Sequence, residues 1–230
     1  MRDQRAEALQ PRLLTVAGML EKDGALLDVG SNHGRLCAYL AATGWKGRLI
    51  ASDISAPSLD RARQRFQRLG LEGRIELRNG NGLQVVAPGE VTSCVIAGMG
   101  GRTIAKILED APRGVAEKLT LVLQPQSHLS QLRRYLWTHG WLIQRERLSR
   151  DAGRFYVVLR AVPGQEEPYT PVEEALGRRL LADGDPLLQT YLSWNLQVLC
   201  AKRKGMANSR HNKREELERI DALIARCREG

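Results

Sequence analysis

The sequence predicts an α/β fold: a doubly wound, largely parallel sheet that finishes in an antiparallel hairpin, with a helical segment after it. Three observations predict this. From residue 25 to about 140, short apolar or β-branched runs alternate with runs of helical spacing. Alternating β and α units of this length build a parallel sheet with helices on both faces. At 141–163 the pattern becomes two strand-like runs around Asp151-Ala152-Gly153, a hairpin signal. After the polar, proline-containing stretch GQEEPYT (164–170), only helical patterns follow.

Taken in order, ALLDV (25–29) is a short apolar strand, and HGRLCAYLAATG (33–44) sets Leu36, Leu40 and Ala41 at helical spacing. RLIASD (48–53) is the second strand. SAPSLDRARQRFQRLG (55–70) places Leu59, Ala62, Phe66 and Leu69 on one helix face, with Gly70 as its stop. RIELRN (74–79) alternates as a third strand, VTSCVIA (91–97) is an apolar fourth and LTLVLQ (119–124) a fifth. RTIAKILEDA (102–111) is a helix between the last two, and HLSQLRRYLWTHG is a helix ending at Gly140. A parallel sheet completed by the 141–163 hairpin is the order of a class I methyltransferase-type doubly wound fold.

The C-terminal patterns are PVEEALGRRLLAD (171–183), DPLLQTYLSWNLQVLCAKRKG (185–205) and NKREELERIDALIARCREG (212–230). Leu192, Leu196 and Leu199 share a face, as do Leu217, Ile220, Ile224 and Cys227. This predicts an α-helical, coiled-coil-like hairpin; a helical lid packed on the sheet is the plainer alternative. The expected domains are 1–163, the sheet domain, and 164–230, a helical domain with a basic connection at 202–214.

The chain has 230 residues, 43% hydrophobic and 27% charged, as in one globular domain with or without a small appendage. Two Phe and five Tyr leave little for a sheet-borne base-stacking platform. Cys37, Cys94, Cys200 and Cys227 form no C-x-x-C pair, as expected of buried thiols in a reducing compartment. No metal site is expected. MRDQRAEALQPRLL lacks a signal-type apolar core and no run approaches a membrane span, so a cytoplasmic location is expected. Net charge is +9, with 24 Lys/Arg against 15 Asp/Glu in 1–163 and 11 against 11 beyond. KRKGMANSRHNKR (202–214) holds six basic residues and no acidic one. Such a patch favours a polyanion such as nucleic acid, the alternative being a solvated loop.

Four stretches carry chemistry. LLDVGSNHGRL gives D-x-G-x-x-x-G (Asp28, Gly30, Gly34) at the first β-to-α crossing, where doubly wound folds bind ligands. A dinucleotide site would need G-x-G-x-x-G, and Asp28 would repel a pyrophosphate. The same carboxylate suits the cationic methionyl part of S-adenosyl-L-methionine. Asp53, ending the second strand, can hold ribose hydroxyls, or cap the following helix, a task Ser55 can also perform. NGNG (79–82) can read an adenine edge, or simply turn.

VIAGMGG (95–101) ends the fourth strand. Enzymes that methylate an exocyclic amine of adenine place an Asp/Asn-Pro-Pro-aromatic turn there, whose acceptors hold the amine hydrogens. AGMGG offers no side-chain acceptor and no ring. A ring nitrogen has an in-plane lone pair and needs no proton removed, so direct in-line attack with no general base is expected, with proximity supplying much of the rate.

Together DVGSNHGRL, NGNGL, IAGMGG and LQPQ resemble the bacterial tRNA (adenine-22-N1)-methyltransferase family, TrmK, over about 20–163 in motif order. The resemblance implies S-adenosyl-L-methionine as donor, adenine ring nitrogen 1 in the tRNA D-arm as acceptor, and a coiled-coil tail that helps hold tRNA. Carried over by motif, Asp28, Gly30, Ser31, His33 and Gly34 line the methionyl end, Asp53 holds the ribose, Asn79, Gly80 and Asn81 lie beside the adenine, and Ile54 and Gly82 also contact the cofactor. Ala97, Gly98, Met99 and Gly100 form the floor between donor and base, and Gln124 and Pro125 face the acceptor. Where many members read GSDHAYLP this chain reads GSNHGRLC, so Asn32 and Arg35 replace a carboxylate and a tyrosine. Asn32, Gly98, Met99 and Gly100 are accordingly positioning candidates. His33 can touch a ligand or make a helix-start hydrogen bond. Tyr156 can stack on a base or pack in the core. Arg35, Arg154, Lys202, Arg203, Lys204, Arg210, Lys213 and Arg214 are candidates for contacting RNA. The rival readings are a small-molecule methyltransferase on this fold and an RNA-binding protein that keeps the cofactor pocket without catalysis.

Overall fold

The computed structural model describes residues 8–22, 24–207 and 214–229. Seven strands form one sheet: β1 (Leu26–Val29), β2 (Leu49–Asp53), β3 (Ile75–Asn79), β4 (Ser93–Gly100), β5 (Thr120–Ser127), β6 (Trp141–Asp151) and β7 (Arg154–Pro163). Their order is β3-β2-β1-β4-β5-β7-β6. The first five run parallel, β7 pairs antiparallel with β5, and β6 with β7. The order reverses between β1 and β4, so a crevice opens at their carboxyl ends. Ala152 and Gly153, both at positive φ, close the expected hairpin.

Nine helices are described: α1 (Pro11–Gly18), α2 (Arg35–Ala42), α3 (Ala56–Arg68), α4 (Gly101–Glu109), α5 (Leu129–Thr138), α6 (Pro171–Leu176), α7 (Arg178–Asp183), α8 (Leu188–Ala207) and α9 (Arg214–Glu229). Strand residues alternate between two cores, as a pleated sheet requires. Leu26, Leu49, Val95, Val122 and Val158 pack against α1, α2 and α3. Leu27, Ile50, Ile96, Leu121 and Leu159 pack against α4 to α9. Helix α1 was not expected from the sequence; it lies across the β4–β7 half of the sheet and buries Val16 completely.

The helical run expected at 171–183 is broken into α6 and α7 at Gly177, φ +103. A Cβ there would lie 2.6 Å from both Arg133 Nη2 and Glu146 Oε2, so the backbone passes directly over that ion pair. Arg133 Nε donates to Glu146 Oε1 at 2.7 Å, with both side chains fully buried. Arg133 also donates to the carbonyls of Glu174 and Ala175, and Glu146 accepts from Arg179 N. Helices α8 and α9 pack on each other through Leu196, Leu199, Met206, Ile220 and Ile224. Leu188, Tyr191, Leu192, Leu223 and Cys227 of the same pair belong to the sheet's own core. The tail therefore combines helix pairing with docking on the sheet.

Candidate active site

The carboxyl ends of the parallel strands open into a cleft of about 1050 Å³, at the upper end of the range for small-molecule sites. Strand β1 delivers Asp28 to its floor. This carboxylate is buried; Ser31 Oγ donates to its Oδ2 at 2.5 Å, and the Cys37 thiol lies 3.8 Å away. Burial pushes its pKa up from 3.8 to about 6; the Ser31 and Cys37 donors oppose the rise and Asp53 adds to it. Such a group gains from a cationic neighbour.

Asn32 follows at φ +53, a left-handed conformation that Asn and Asp tolerate best among residues with a side chain. Its backbone N–H donates to Asp53 Oδ2 at 3.0 Å, a contact that an Asp at this position would equally allow. Ser31, His33 and Arg35 stand along the same wall. Among the described residues His33 makes no hydrogen bond; Gly34 is the helix cap. Gly34 itself packs toward Phe66, behind the cleft wall.

Asp53 ends β2. It accepts from Asn32 N and, through Oδ1, from Ser55 N at 2.9 Å, while Ser55 caps α3 by accepting from Ser58 N. Asp53 is thus not the cap, and its carboxylate oxygens keep lone-pair sites for ligand hydroxyls. Ile54 beside it is 72% exposed at the cleft mouth. Gly80, Asn81 and Gly82 form the opposite wall with Leu83 and Ile107. Asn79 does not: its Nδ2 donates to the Asp53 carbonyl at 3.0 Å, tying β3 to the end of β2. Asn79 is thereby held at the strand ends and does not line the cleft, whereas the residues after it do.

Strand β4 runs past Ala97 to Gly100, where the sequence reading ended it at 97. Its register with β5 shifts between Ala97 and Met99 and again before Gly100, a bulge centred on Gly98 at φ +81. Ala97, Gly98 and Met99 line the cleft, and the Met99 methyl lies against Gly30. None of the three carries a carboxylate or amide acceptor. Gly100 is instead the N-cap of α4, beside Ser127, so its role is to start that helix.

Gln124 and Pro125 require correction. Both are buried and neither lines the cleft. Gln124 Oε1 accepts from Arg12 Nη1 at 3.1 Å, and its Nε2 donates to the Pro125 carbonyl at 3.0 Å. Gln126, exposed two residues on, is the β5 residue that reaches the cleft. The sequence reading missed it, along with Gln10, Arg12, Arg102 and Lys106 on the rim. Arg102 and Lys106 were detectable as cations one turn apart directly after the glycines; Gln10 and Arg12 carried no signal, because α1 is placed only by packing.

Arg154 and Tyr156 lie on β7, outside the cleft lining. Lys202 pairs with Glu216 at 2.8 Å and Arg203 with Asp221. These two cations, candidates for RNA contact by sequence, thus bridge α8 to α9; Lys204 is exposed. Arg210 and Lys213 lie outside the described residues, and Arg214 opens α9.

A family model described as a methyltransferase domain matches residues 9–159. A Bacillus subtilis relative, tRNA (adenine(22)-N(1))-methyltransferase, is 33% identical over 159 residues, covering 69% of this chain and 67% of that protein. The chain belongs to the TrmK family. The TrmK likeness extends over the helical tail. The crystal structure of B. subtilis TrmK is 26% identical, with TM-score 0.80 over 96% of each chain. A Streptococcus pneumoniae protein, solved in complex with S-adenosyl-L-methionine, is 29% identical, with TM-score 0.82 over 96% of this chain and 99% of that one. The cleft fits that cofactor: a desolvated carboxylate for a cationic amino-acid end, a second carboxylate, Asp53, whose oxygens keep lone pairs for hydroxyls, and an apolar mouth at Ile54.

Proposed function

We propose that this chain transfers a methyl group from S-adenosyl-L-methionine to ring nitrogen 1 of adenine 22 in the tRNA D-arm, giving 1-methyladenosine in the cytoplasm. The observation that carries the reading is the β4 floor. Ala97, Gly98 and Met99 present no side-chain carboxylate or amide to accept amine hydrogens, beside the buried Asp28, in a chain of the TrmK family. Bound S-adenosyl-L-methionine supplies an electrophilic methyl group on a sulfonium. Asp28 pairs with its cationic end, Asp53 accepts from ribose hydroxyls, and Ile54 with Gly80–Gly82 flanks the adenine. The floor holds the target base edge-on, and orientation does the rest, since ring nitrogen 1 needs no base to unmask its lone pair. Residues 1–163 act as the donor-binding unit, and 164–230 hold the RNA with the basic 202–214 segment, Lys204 included.

Incubation with isotopically labelled donor and unmodified tRNA, followed by nucleoside mass mapping, tests this. The expected product is 1-methyladenosine at position 22, lost when that adenine is replaced. Methylation of the exocyclic amine, or donor binding without transfer to tRNA, overturns it.

A further inference from the structure

Arg12 lines the cleft, and no feature of the reaction has used it. It comes from α1, 112 residues away in sequence from Gln124, whose Oε1 takes its Nη1 proton at 3.1 Å. Gln10 Oε1 takes one from Nη2 at 3.0 Å. Gln124 is fully buried and its amide is pinned by the Pro125 carbonyl, so the acceptor cannot turn away from Arg12. The guanidinium is thus held by two neutral amides, and no carboxylate pairs with it among the described residues. Four other partly or fully buried arginines pair with acids instead: Arg78 with Glu90, Arg133 with Glu146, Arg178 with Glu173 and Arg179 with Glu166. Two amides fill two of its five N–H donors, leaving three.

Those donors sit at the reacting end. From the open side of Gly98, the position a Cβ would take is 3.7 Å from Arg12 Nη1 and 3.6 Å from Gln126 Nε2. Two nitrogen donors from two different elements therefore converge over the one floor residue that carries no side chain. An oriented, uncompensated guanidinium with an amide beside it is built for an oxyanion.

We propose that Arg12, with Gln126, forms an oxyanion-binding site at the β4–β5 end of the cleft. The inference rests on the methyltransferase reading above and names how that site grips its ligands. Two oxyanions reach this place in that reaction: the carboxylate on the amino-acid portion of the donor and a backbone phosphate of the target nucleotide. The chemistry is the same for both.

Arg12→Gln removes the charge, and Gln126→Ala, at an exposed side chain, removes the second donor without touching the packing. Binding of S-adenosyl-L-methionine, of 5′-methylthioadenosine (which lacks the amino-acid portion) and of unmodified tRNA over a salt series is measured for each. The expected result is a loss of about 10- to 100-fold for one ligand in Arg12→Gln, smaller in Gln126→Ala, and partly restored in Arg12→Lys. Weaker binding of the donor with 5′-methylthioadenosine unchanged identifies the carboxylate. An unchanged donor with weaker tRNA binding, and a slope of log K on log salt smaller by about 1, identifies the phosphate. Equal losses for donor and 5′-methylthioadenosine, or no loss for any ligand in both Arg12→Gln and Gln126→Ala, overturn the proposal. If the unaltered chain binds neither donor nor tRNA, the functional reading fails instead.

Discussion

Asp28 sets the pH range in which the cleft accepts a cation. Its pKa of about 6 lies above the ordinary 3.8, so between those values the folded chain binds more protons than the unfolded one. Stability then falls as pH rises through that window, and above it the buried carboxylate costs the ligand-free protein about 2–3 kcal/mol. Asp28→Asn is therefore expected to raise the melting midpoint by several degrees at pH 7.5 and hardly at all at pH 4, by scanning calorimetry. The same substitution is expected to weaken donor binding about tenfold or more at pH 7.5. In the unaltered chain, donor affinity is expected to decline as pH drops below about 6, because the cation loses its partner; a flat titration between pH 5 and 8 would count against this role. Asp28 was legible in the sequence because a strand end before a glycine loop is a local pattern. Gln124 was misread for a related reason: which face of β5 is open depends on α1, and no periodicity in 119–127 records it.

Helix boundaries followed local chemistry where caps and glycines decided them, as at Ser55 and Gly140. They failed where another element decided them. PVEEALGRRLLAD reads as one helix, yet the buried Arg133–Glu146 pair lies under Gly177 and forces the break. Gly177→Ala is expected to cost about 2 kcal/mol or more, since it combines a positive-φ penalty with a clash on the ion pair; the denaturant midpoint reports it. The α8–α9 ion pairs work differently. Lys202–Glu216 and Arg203–Asp221 are about half exposed, so Arg203→Ala is expected to change stability by less than about 1 kcal/mol. Of these cations only Lys204 has no acid partner among the described residues, and Lys204→Ala is expected to lower the salt slope of tRNA binding while Arg203→Ala leaves it nearly unchanged.

The two expected domains share one interior. Leu176, Leu180, Tyr191 and Leu223 of the helical tail pack in the same core as Ile143, Leu148 and Leu159 of the sheet. A chain ended at 163 would expose that surface and leave Arg133 and Glu146 without the backbone groups of 174–180 that complete their hydrogen bonds. We propose that 1–163 and 164–230 unfold together. Glu146→Ala, which strands a fully buried guanidinium, is expected to cost about 3–5 kcal/mol and to lower the melting of both segments in step, as followed by hydrogen exchange. Separate transitions for tail and sheet would contradict a shared core.

The strand–helix alternation, the closing hairpin, the methyltransferase-type motifs and a β4 turn without side-chain acceptors were all readable from the chain alone. Each is written in residues that are neighbours in sequence, where steric preference and apolar spacing act directly. What the sequence could not say is which distant residues meet: Arg12 with Gln124, Gly177 with Arg133 and Glu146, Lys202 with Glu216. Those contacts are chosen by the burial of whole helix and sheet faces, which is nearly blind to the polar residues it carries along. Tertiary packing therefore decided which polar side chains open onto the cleft and which are consumed in holding it.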